Sequence, residues 1–330
     1  MTLKKTVIAY ALAAFTIGVP LAGAQDIILQ VGSSAPINSP WDLGLRKIAA
    51  EWSRISGGRV RVVFPKSVSS ASQEDLIQKL KFSLDGAVLD TTGLGFMDED
   101  IYMLSMPSVI RDDAEYDKAM AVAIPLIRKK FEERFEIVGF SKGGWIRFFS
   151  NQPIRTPDDL RNVRMGVNRS QDSLAKLMQS IGVRTVKADS ASTLLQFSSG
   201  ALDAMYSSPL FVAALWSQYK RVVTHMTAFR VAPFFGAIVI NKRSWERVPE
   251  SLRPALREAA ERVSKEIGDE AVRLEEEGIA AMKRGGLVVP AYDSSDIKAW
   301  DTLYAERMRG VISSWYSPAF SSAIYAALGK

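Results

Sequence analysis

The sequence predicts an α/β protein made of two lobes, and three observations support this. β-rich segments alternate with helical segments along nearly the whole chain, a pattern that is typical of folds with parallel sheets. The chain has 330 residues and no internal repeat, and that length exceeds the usual size of one hydrophobic core. In open sheets of this kind a ligand binds at the carboxyl ends of the strands, so a two-lobed version places its site between the lobes.

Cap and turn residues divide the first half of the chain into elements. Ser39 and Pro40 have the pattern of an N-cap followed by proline at the first helical position, and residues 72–75 have the form of a capping box. Pro125 marks a kink or a break in the longest helix of this half. We predict strands at 26–31, 59–64, 87–91, 136–140 and 146–150, and helices from 39 to the glycines at 57–58, at 72–84 and at 112–135.

The same alternation continues through the second half. Apolar residues recur near helical spacing over 249–283, which predicts the longest helix of the chain. Thr156 and Pro157 predict one short helical turn by the cap pattern. We predict strands at 163–167, 183–186, 201–206, 222–228, 236–241 and 287–290, and helices at 171–181, at 192–199, from 209, at 296–315 and at 319–328.

Residues 1–24 have the pattern of a secretory signal peptide. Two lysines precede an apolar run at 7–19, and the last three residues, ending at Ala24, form a small-x-small cleavage site. The apolar run is shorter than the roughly 20 residues that a membrane-spanning helix needs, although a retained N-terminal anchor is the alternative. We expect cleavage after Ala24 and a soluble mature protein outside the cytoplasm, in the periplasm.

The net charge is mild, and several chemistries lack the side chains that they need. The chain carries 42 Lys and Arg residues against 36 Asp and Glu residues, a formal charge of +6, and these are interspersed rather than clustered. Proteins that bind nucleic acid concentrate their basic residues on one face, so we expect no nucleic-acid partner. There is no cysteine, and His225 is the single histidine. Thiolate nucleophiles, disulfides and cysteine-based metal sites are therefore excluded.

Short motifs give little support for an enzyme or a cofactor. Gly93 begins a Gly-x-Gly pair after a predicted strand, but Asp98 replaces the third glycine of a dinucleotide-binding loop and no helix is predicted directly after it. His225 has no partner histidine, which favours a structural or surface role over catalysis. The acidic residues at 98–100 lack the spacing of a calcium loop and are predicted to be solvated. Those at 275–277 are predicted to lie on the exposed face of the long helix.

One arginine lies among aromatic residues on a predicted strand. Strand alternation places Trp145, Arg147 and Phe149 on one face. The guanidinium could clamp a carboxylate with two hydrogen bonds, or it could stack on an aromatic ring and add stability, and the sequence leaves both open. The segment 229–235 is a second aromatic-rich stretch, whose phenylalanines could equally belong to the core.

Several of these segments together resemble one family. Residues 39–41, 55–60 and 145–147 are similar to its first ligand-facing loop, its SGGRV turn and its G-F-R stretch. The segment PIRTPDDLRNVRMGV at 153–167 is similar to its PI-x-x-PDDL-K-G-L-K-I-R-V motif, and 241–249 resembles its Asn-Lys-x-x-Trp block. Over essentially the whole mature chain, the sequence resembles the extracytoplasmic solute receptors of tripartite ATP-independent periplasmic (TRAP) transporters.

The chain departs from this family at the arginine that binds the ligand. Aligning the PDDL segment places Gly166 where the family usually carries the arginine that clamps the acid group of its substrate. Arg147 falls on a second arginine of some members, and Arg164 and Arg169 lie close by in sequence. A polar ligand-facing residue of the family falls on one of the serines at 207–208. These changes imply a ligand that is more apolar or less acidic than is usual in the family.

The resemblance implies a two-lobed periplasmic binding protein of the type II-like class, with mixed sheets, a long helix that spans the lobes and C-terminal helices. Lobe I is expected to comprise 25–146 and 236–290. Lobe II is expected to comprise 147–235, and the helices at 291–330 are expected to pack on lobe I.

The resemblance also implies a function without a chemical step. The protein is expected to capture a small organic solute, either an organic acid or a more apolar or aromatic compound, and to deliver it as a monomer to a TRAP-type membrane permease, with no cofactor and no metal. A sensor subunit that presents its ligand to a receptor kinase is the alternative, and a secreted enzyme is a weaker one. Arg147 is expected to bind an anionic or polar group, while aromatic residues form apolar walls and other polar residues donate or accept hydrogen bonds. The expected contacts are Trp41, Glu74, Thr92, Trp145, Arg147, Gly166, Asn168, Ser208, Phe234 and Phe235.

Overall fold

The computed structural model describes residues 26–189 and 192–330. The predicted signal peptide and its cleavage site lie outside the described residues. Within these two ranges, no helix has both the length and the apolar character that a membrane crossing requires.

Nine strands occur in the described part of the chain, and they join into one mixed sheet. They are β1 (Ile27–Gly32), β2 (Val60–Val63), β3 (Gly86–Asp90), β4 (Phe135–Ser150), β5 (Arg164–Asn168), β6 (Arg184–Ala188), β7 (Ala204–Ser207), β8 (His225–Met226) and β9 (Ala232–Asn241). Their order across the sheet is β2-β1-β3-β9-β4-β7-β5-β6, and β8 pairs with β4.

Helices cover the sheet and follow the predicted caps closely. Capping boxes form at Ser72 and at Thr156, as the sequence predicts. A π-helical turn at Tyr304–Met308 joins two of the C-terminal helices. The helices are α1 (Pro40–Ile55), α2 (Gln73–Leu80), α3 (Thr91–Met97), α4 (Glu99–Tyr102), α5 (Asp113–Phe131), α6 (Pro157–Arg161), α7 (Asp172–Ser180), α8 (Thr193–Ser198), α9 (Pro209–Ala214), α10 (Trp216–Tyr219), α11 (Lys242–Glu246), α12 (Arg253–Arg284), α13 (Ser294–Leu303), α14 (Arg309–Trp315) and α15 (Pro318–Leu328).

The sheet is parallel at its flanks and antiparallel at its centre. Strand β1 is parallel to β2 and β3, and β5 is parallel to β6 and β7. Strand β9 is antiparallel to β3 and β4, and β4 is antiparallel to β7. The predicted α/β class with mixed sheets is confirmed, whereas the simpler expectation of parallel sheets holds only away from the centre.

Strand β4 replaces two strands that the sequence predicts separately at 136–140 and 146–150. It runs for 16 residues without a break and pairs with β9 from Phe135 to Ile146, with register shifts near Gly139 and between Lys142 and Trp145. The glycines between these two predicted strands form part of a bulge, which lets the strand bend and continue. β4 and β9 therefore run through both halves of the sheet. The predicted lobe boundaries fall on these two strands and stay a prediction.

Other predicted elements differ in detail. Only His225–Met226 of the segment 222–228 is a strand, and 287–290 forms no strand but a single bridge from Val288 to His225. Helix α5 continues through Pro125. A helix, α3, does follow β3 directly, because Asp90 caps it.

Each acidic segment has one buried carboxylate, contrary to the prediction, whereas Glu99, Glu276 and Glu277 are exposed as predicted. Lys130 lies 2.9 Å from a carboxylate oxygen of Asp98 and 2.5 Å from one of Asp100. Asp100 is buried and also accepts a hydrogen bond from the Ser317 hydroxyl at 2.5 Å. Glu275, predicted to be on an exposed helix face, is 5 % exposed.

The long helix α12 packs along the molecule against α1, β4 and α9. Near its start, the indole N–H of Trp52 in α1 donates a hydrogen bond to the Leu256 carbonyl at 2.8 Å. Near its end, Met282 belongs to the apolar cluster that contains Phe149 of β4. The predicted helix that spans both halves of the molecule is therefore present.

The C-terminal helices contact both halves of the sheet. Helix α15 packs on α5. Helix α13 lies at the other half, where the indole N–H of Trp300 donates to the Arg155 carbonyl at 2.7 Å and Asp296 pairs with the Arg155 guanidinium at 2.5 Å.

The bulge in β4 is held by a carboxylate from α12. The Trp145 backbone N–H donates to Glu275 Oε2 at 2.7 Å. Gly144 beside it has φ of 94°, in the left-handed region, and a Cβ at this position would overlap the Glu275 carboxylate. Only glycine combines this φ with room for the carboxylate.

We expect Gly144→Ala to lower the free energy of unfolding by more than about 1 kcal/mol, because the substitution adds both backbone strain and a clash with Glu275. Gly310→Ala is the matched control, since Gly310 is exposed in α14 with no neighbour near a Cβ. Its unfolding free energy should stay equal or rise slightly. Urea unfolding of both variants measures the difference, and equal stability of the two contradicts this account of the bulge.

Candidate functional site

Three cavities open at the carboxyl ends of strands in both halves of the sheet. The Asp90 cavity, of about 170 Å³, lies at the end of β3. The Gly166 cavity, of about 90 Å³, lies beside β5 and β7, and the Tyr316 cavity, of about 230 Å³, lies between α3 and the start of α7. Among their lining residues are Trp41, Gln73, Asp90 and Phe234 in the first, Gly166, Asn168, Gln171, Asp189, Tyr206 and Ser207 in the second, and Thr92, Phe96, Glu99, Tyr102, Gln171, Asp172 and Tyr316 in the third.

The three cavities adjoin one another. Gln171 lines both the Gly166 cavity and the Tyr316 cavity. Thr92 of the Tyr316 cavity donates its backbone N–H to the carboxylate of Asp90, in the Asp90 cavity, at 2.8 Å. The three neighbouring cavities are together called the cleft below.

Asp90 is the carboxylate at the end of β3. Its Oδ1 accepts hydrogen bonds from the backbone N–H groups of Thr92 at 2.8 Å and Gly93 at 3.0 Å, which caps α3. Its own N–H donates to Gln73 Oε1 at 2.9 Å. Burial raises the pKa of the Asp90 carboxyl, and the N–H groups of Gly93 and Thr92 lower it by less. The cleft therefore holds an acid whose charge the protein only partly stabilises.

Half of the contacts predicted from the sequence line the cleft. These are Trp41, Thr92, Gly166, Asn168 and Phe234. Trp41 and Phe234 place aromatic rings in the cavity that contains Asp90. Asn168 Oδ1 accepts hydrogen bonds from the backbone and the hydroxyl of Ser170, which leaves its amide N–H groups for a ligand.

Three other predicted contacts lie outside the residues that line the cleft. Glu74 is exposed on α2, and its neighbour Gln73 lines the cleft instead. The Ser208 hydroxyl accepts a hydrogen bond from the backbone of Leu210 at 3.2 Å and caps α9. Phe235 is fully buried in the core.

Trp145 and Arg147 are buried beside the bulge of β4. The Trp145 indole N–H donates to Asp113 Oδ1 at 3.1 Å. Arg147 is 8 % exposed, donates a hydrogen bond from Nη1 to the Ala228 carbonyl, and has no partner in the structure for its Nε. Burial lowers the pKa of its guanidinium to about 10. Neither residue is among those that line the cleft, so a carboxylate clamp by Arg147 stays a prediction.

The other candidate arginines are already engaged. Arg164 forms a two-pronged ion pair with Asp203, with distances of 2.7 and 2.8 Å. Arg169 is largely exposed and its Nε lies 4.0 Å from Asp189. At Gly166, a Cβ would lie 3.0 Å from Leu202 Cδ1, the end of a flexible side chain.

Sequence reasoning missed several side chains of the cleft. Asp90 lies near the end of the strand predicted at 87–91, so the rule that ligands bind at strand ends could have found it. Ser207 is the first of the two serines that the alignment left open, and it lines the cleft, whereas Ser208 was the expected contact. Tyr316 comes from the end of α14, and no local signal connects it with β3 or β5.

A mixed sheet whose two halves share long strands, with a polar and aromatic cleft at the strand ends, defines a solute-binding protein. The model of the DctP family, bacterial extracellular solute-binding protein family 7, matches residues 31–313. The chain belongs to this family, the solute receptors of TRAP transporters, which confirms the family that its motifs predict. Because the family consists of binding proteins, the chain is a receptor and not an enzyme.

Solved structures of periplasmic solute-binding proteins have the same fold. An extracytoplasmic solute receptor of Bordetella pertussis that binds pyroglutamic acid has 18% identity and a TM-score of 0.76, covering 92% of this chain and 99% of that one. A TRAP periplasmic protein of Desulfovibrio salexigens with bound orotic acid has 17% identity and a TM-score of 0.78, covering 92% and 98%. One of Ochrobactrum anthropi, with its C-terminus in the ligand pocket, has 14% identity and a TM-score of 0.80, covering 93% and 96%. No curated protein sequence matches the chain.

We expect Asp90→Asn to stabilise the protein at neutral pH. Burial raises the pKa of Asp90 in the folded state, so ionisation at this site costs folding free energy that asparagine, an equally good N-cap, does not incur. The difference should be absent below the ordinary Asp pKa of 3.8 and should grow as pH rises toward the folded pKa. Urea unfolding as a function of pH measures it.

The matched control for this prediction is Asp113→Asn, which should behave in the opposite way. Burial alone would raise the pKa of Asp113, but hydrogen bonds from Lys142 and Arg230 lower it to about 2. The ionised Asp113 carboxylate therefore stabilises the folded state above pH 3.8, and this contribution is lost as pH falls toward 2. A destabilised Asp90→Asn variant at pH 7 contradicts the assignment of Asp90.

Proposed function

We propose that this protein is an extracytoplasmic receptor that captures a small organic solute in the cleft and delivers it to the membrane permease of a TRAP transporter. The observation that carries the proposal is that both halves of the sheet line the cleft, with Trp41 and Asp90 on one side and Gly166 and Ser207 on the other. Membership of the family supports the delivery to a permease.

Capture follows from the way the two halves are connected. A solute that contacts both halves binds more tightly when the halves are close together than when they are apart. This difference in affinity shifts the population toward the closed arrangement. Strands β4 and β9 run through both halves, and the bulge between Lys142 and Trp145 is the place where β4 changes its register. We assign the bending of the molecule to this bulge.

Each group of side chains has a role in this proposal. Trp41 and Phe234 form apolar walls, and Thr92 and Asn168 supply hydrogen-bonding groups. The buried residues beside the bulge, among them Arg147, hold the connection between the two halves in place. Glu74, Trp145, Ser208 and Phe235 support the shape of the cleft from outside its lining.

The proposal includes the location and state of the protein. The signal peptide is removed after Ala24, and the mature protein works in the periplasm as a monomer. The solved structures of similar fold are described as periplasmic proteins, which supports this location. Two of them bind pyroglutamic acid and orotic acid, whereas Gly166 gives this chain no arginine at the matching position.

A thermal-shift panel of solutes on the mature protein tests the function. A solute at about 100 times its dissociation constant adds roughly 2.7 kcal/mol to the folded state, which raises Tm by a few degrees. The panel contains small carboxylates, their neutral amides and alcohols, and aromatic and long-chain compounds. Any solute that raises Tm should then be taken up by cells only when both receptor and permease are present.

We expect Trp41→Ala to weaken binding of that solute at least tenfold, since the substitution removes an aromatic wall of the cleft. Phe82→Ala is the control, because Phe82 is 88 % exposed and lies outside the cleft. Titration calorimetry compares the two variants with the wild type. Binding that survives Trp41→Ala unchanged places the solute elsewhere and contradicts the proposal.

A further inference from the structure

Four of the described acidic residues line the cleft, and two of them have basic partners outside its lining. Asp90, Glu99, Asp172 and Asp189 line the three cavities, and among the described residues no lysine, arginine or histidine lines any of them. Asp172 is paired with Lys187, which lies outside the lining, at 3.1 Å. Arg169 also lies outside the lining, and its Nε is 4.0 Å from Asp189. A ligand with a negative charge would enter a space whose charged groups are all negative.

Asp90 and Glu99 are the acids that a ligand could best satisfy. The described residues provide no basic side chain within ion-pair distance of either carboxylate. Lys130 forms its ion pairs with Asp98 and Asp100, on either side of Glu99 in the sequence. Asp90 is held by two backbone N–H groups at the end of β3, so its position is fixed before a ligand arrives. A fixed, partly buried carboxylate gains most from a cationic partner.

Aromatic rings lie in the same cavities as these two acids. Trp41 and Phe234 line the Asp90 cavity. Phe96, Tyr102 and Tyr316 line the Tyr316 cavity together with Glu99. Carboxylates and aromatic faces are the two groups that attract an ammonium ion, because both present negative potential and the rings also cover its alkyl substituents.

The Tyr316 hydroxyl is an independent sign that the cleft awaits a polar group. Tyr316 is 5 % exposed, it lines the cavity, and its hydroxyl has no hydrogen-bond partner in the structure. A buried hydroxyl without a partner is costly. Because a tyrosine hydroxyl can donate or accept, a polar ligand group of either kind in this cavity would satisfy it, and the charge of Glu99 disfavours a carboxylate in that place.

The geometry points to an organic cation, a small solute with an ammonium group, as the ligand class of this cleft, with its positive group at Asp90 and its apolar part against Trp41 and Phe234. This inference rests on the proposed receptor function and names its ligand. Of the two arginines that the resemblance places at the ligand site, the one aligned with Gly166 is absent and the other, the buried Arg147, lies outside the lining.

Three probes with the same ring and different charge test the inference. Titration calorimetry of the mature protein at pH 7 compares benzylamine, benzyl alcohol and benzoate. We expect benzylamine to bind at least tenfold more tightly than benzyl alcohol and benzoate to bind least, with a preference that falls as salt is added. The inference is overturned if benzylamine binds no more tightly than benzyl alcohol, or if neither compound binds.

Two variants locate the effect within the cleft. Asp90→Asn keeps the cap of α3 and should lose at least tenfold in affinity for benzylamine while its affinity for benzyl alcohol is unchanged. Gly166→Arg should weaken the binding of benzylamine and strengthen that of benzoate, because it adds a positive charge. The end of the Leu202 side chain, 3.0 Å from a Cβ at this position, is flexible and can move aside. Gly166→Ala is the control and should keep the wild-type preference. A benzylamine affinity that Asp90→Asn leaves unchanged overturns the inference even if Gly166→Arg does not fold.

Failure of this inference is distinguishable from failure of the receptor function. If benzoate or benzyl alcohol binds and Trp41→Ala weakens that binding, the cleft is a solute site of a different charge class. If neither benzylamine nor any compound of the wider thermal-shift panel binds, the receptor function itself is contradicted.

Discussion

The shape of the sheet depends on a hydrogen bond that the carboxylate of Glu275 accepts. This carboxylate reaches from α12 to the Trp145 backbone N–H at 2.7 Å, at the point where β4 changes its register against β9. Gly144 leaves the room that this carboxylate occupies. Because the bulge is held in this way, one strand continues from the first half of the sheet into the second, and the ends of β3 and of β5 and β7 come to lie around one cleft.

A group of charges surrounds this contact and explains where the aromatic-flanked arginine lies. Asp113 pairs with Arg230 at 2.6 Å and with Lys142, and these hydrogen bonds lower its pKa to about 2 although burial opposes them. Burial raises the pKa of Glu275, while the Trp145 N–H and the charge of Arg147 lower it by less. Arg147 is thus one of the positive charges that lower the pKa of Glu275, while its own hydrogen bond goes to the Ala228 carbonyl. Arginine among aromatic residues on a strand fits this structural role as well as a ligand clamp, and only the position of α12 distinguishes them.

Local signals predicted the parts of the structure that local interactions determine. The caps at Ser72 and Thr156 set helix starts correctly, since each cap forms within a few residues. The sequence predicts the single strand β4 as two strands, at 136–140 and 146–150, because its pairing with β9 and its contact with Glu275 come from distant parts of the chain. In the cleft, Asn168 and Thr92 follow strand ends and were predictable, whereas Tyr316 reaches it only because the C-terminal helices fold back over α5.

The charge of the cleft illustrates how one substitution can change a binding site. An arginine at the position where the family carries one would place a positive charge in the cleft. That charge would offset the negative charges of Asp90 and Glu99, so a carboxylate ligand could bind beside these acids. The resemblance places Gly166 at that position, where glycine supplies no such offset. Arg164 does not replace it, because Asp203 holds its guanidinium at 2.7 and 2.8 Å. Without such an offset the same acids favour a cation over a carboxylate, which is the ligand class inferred above.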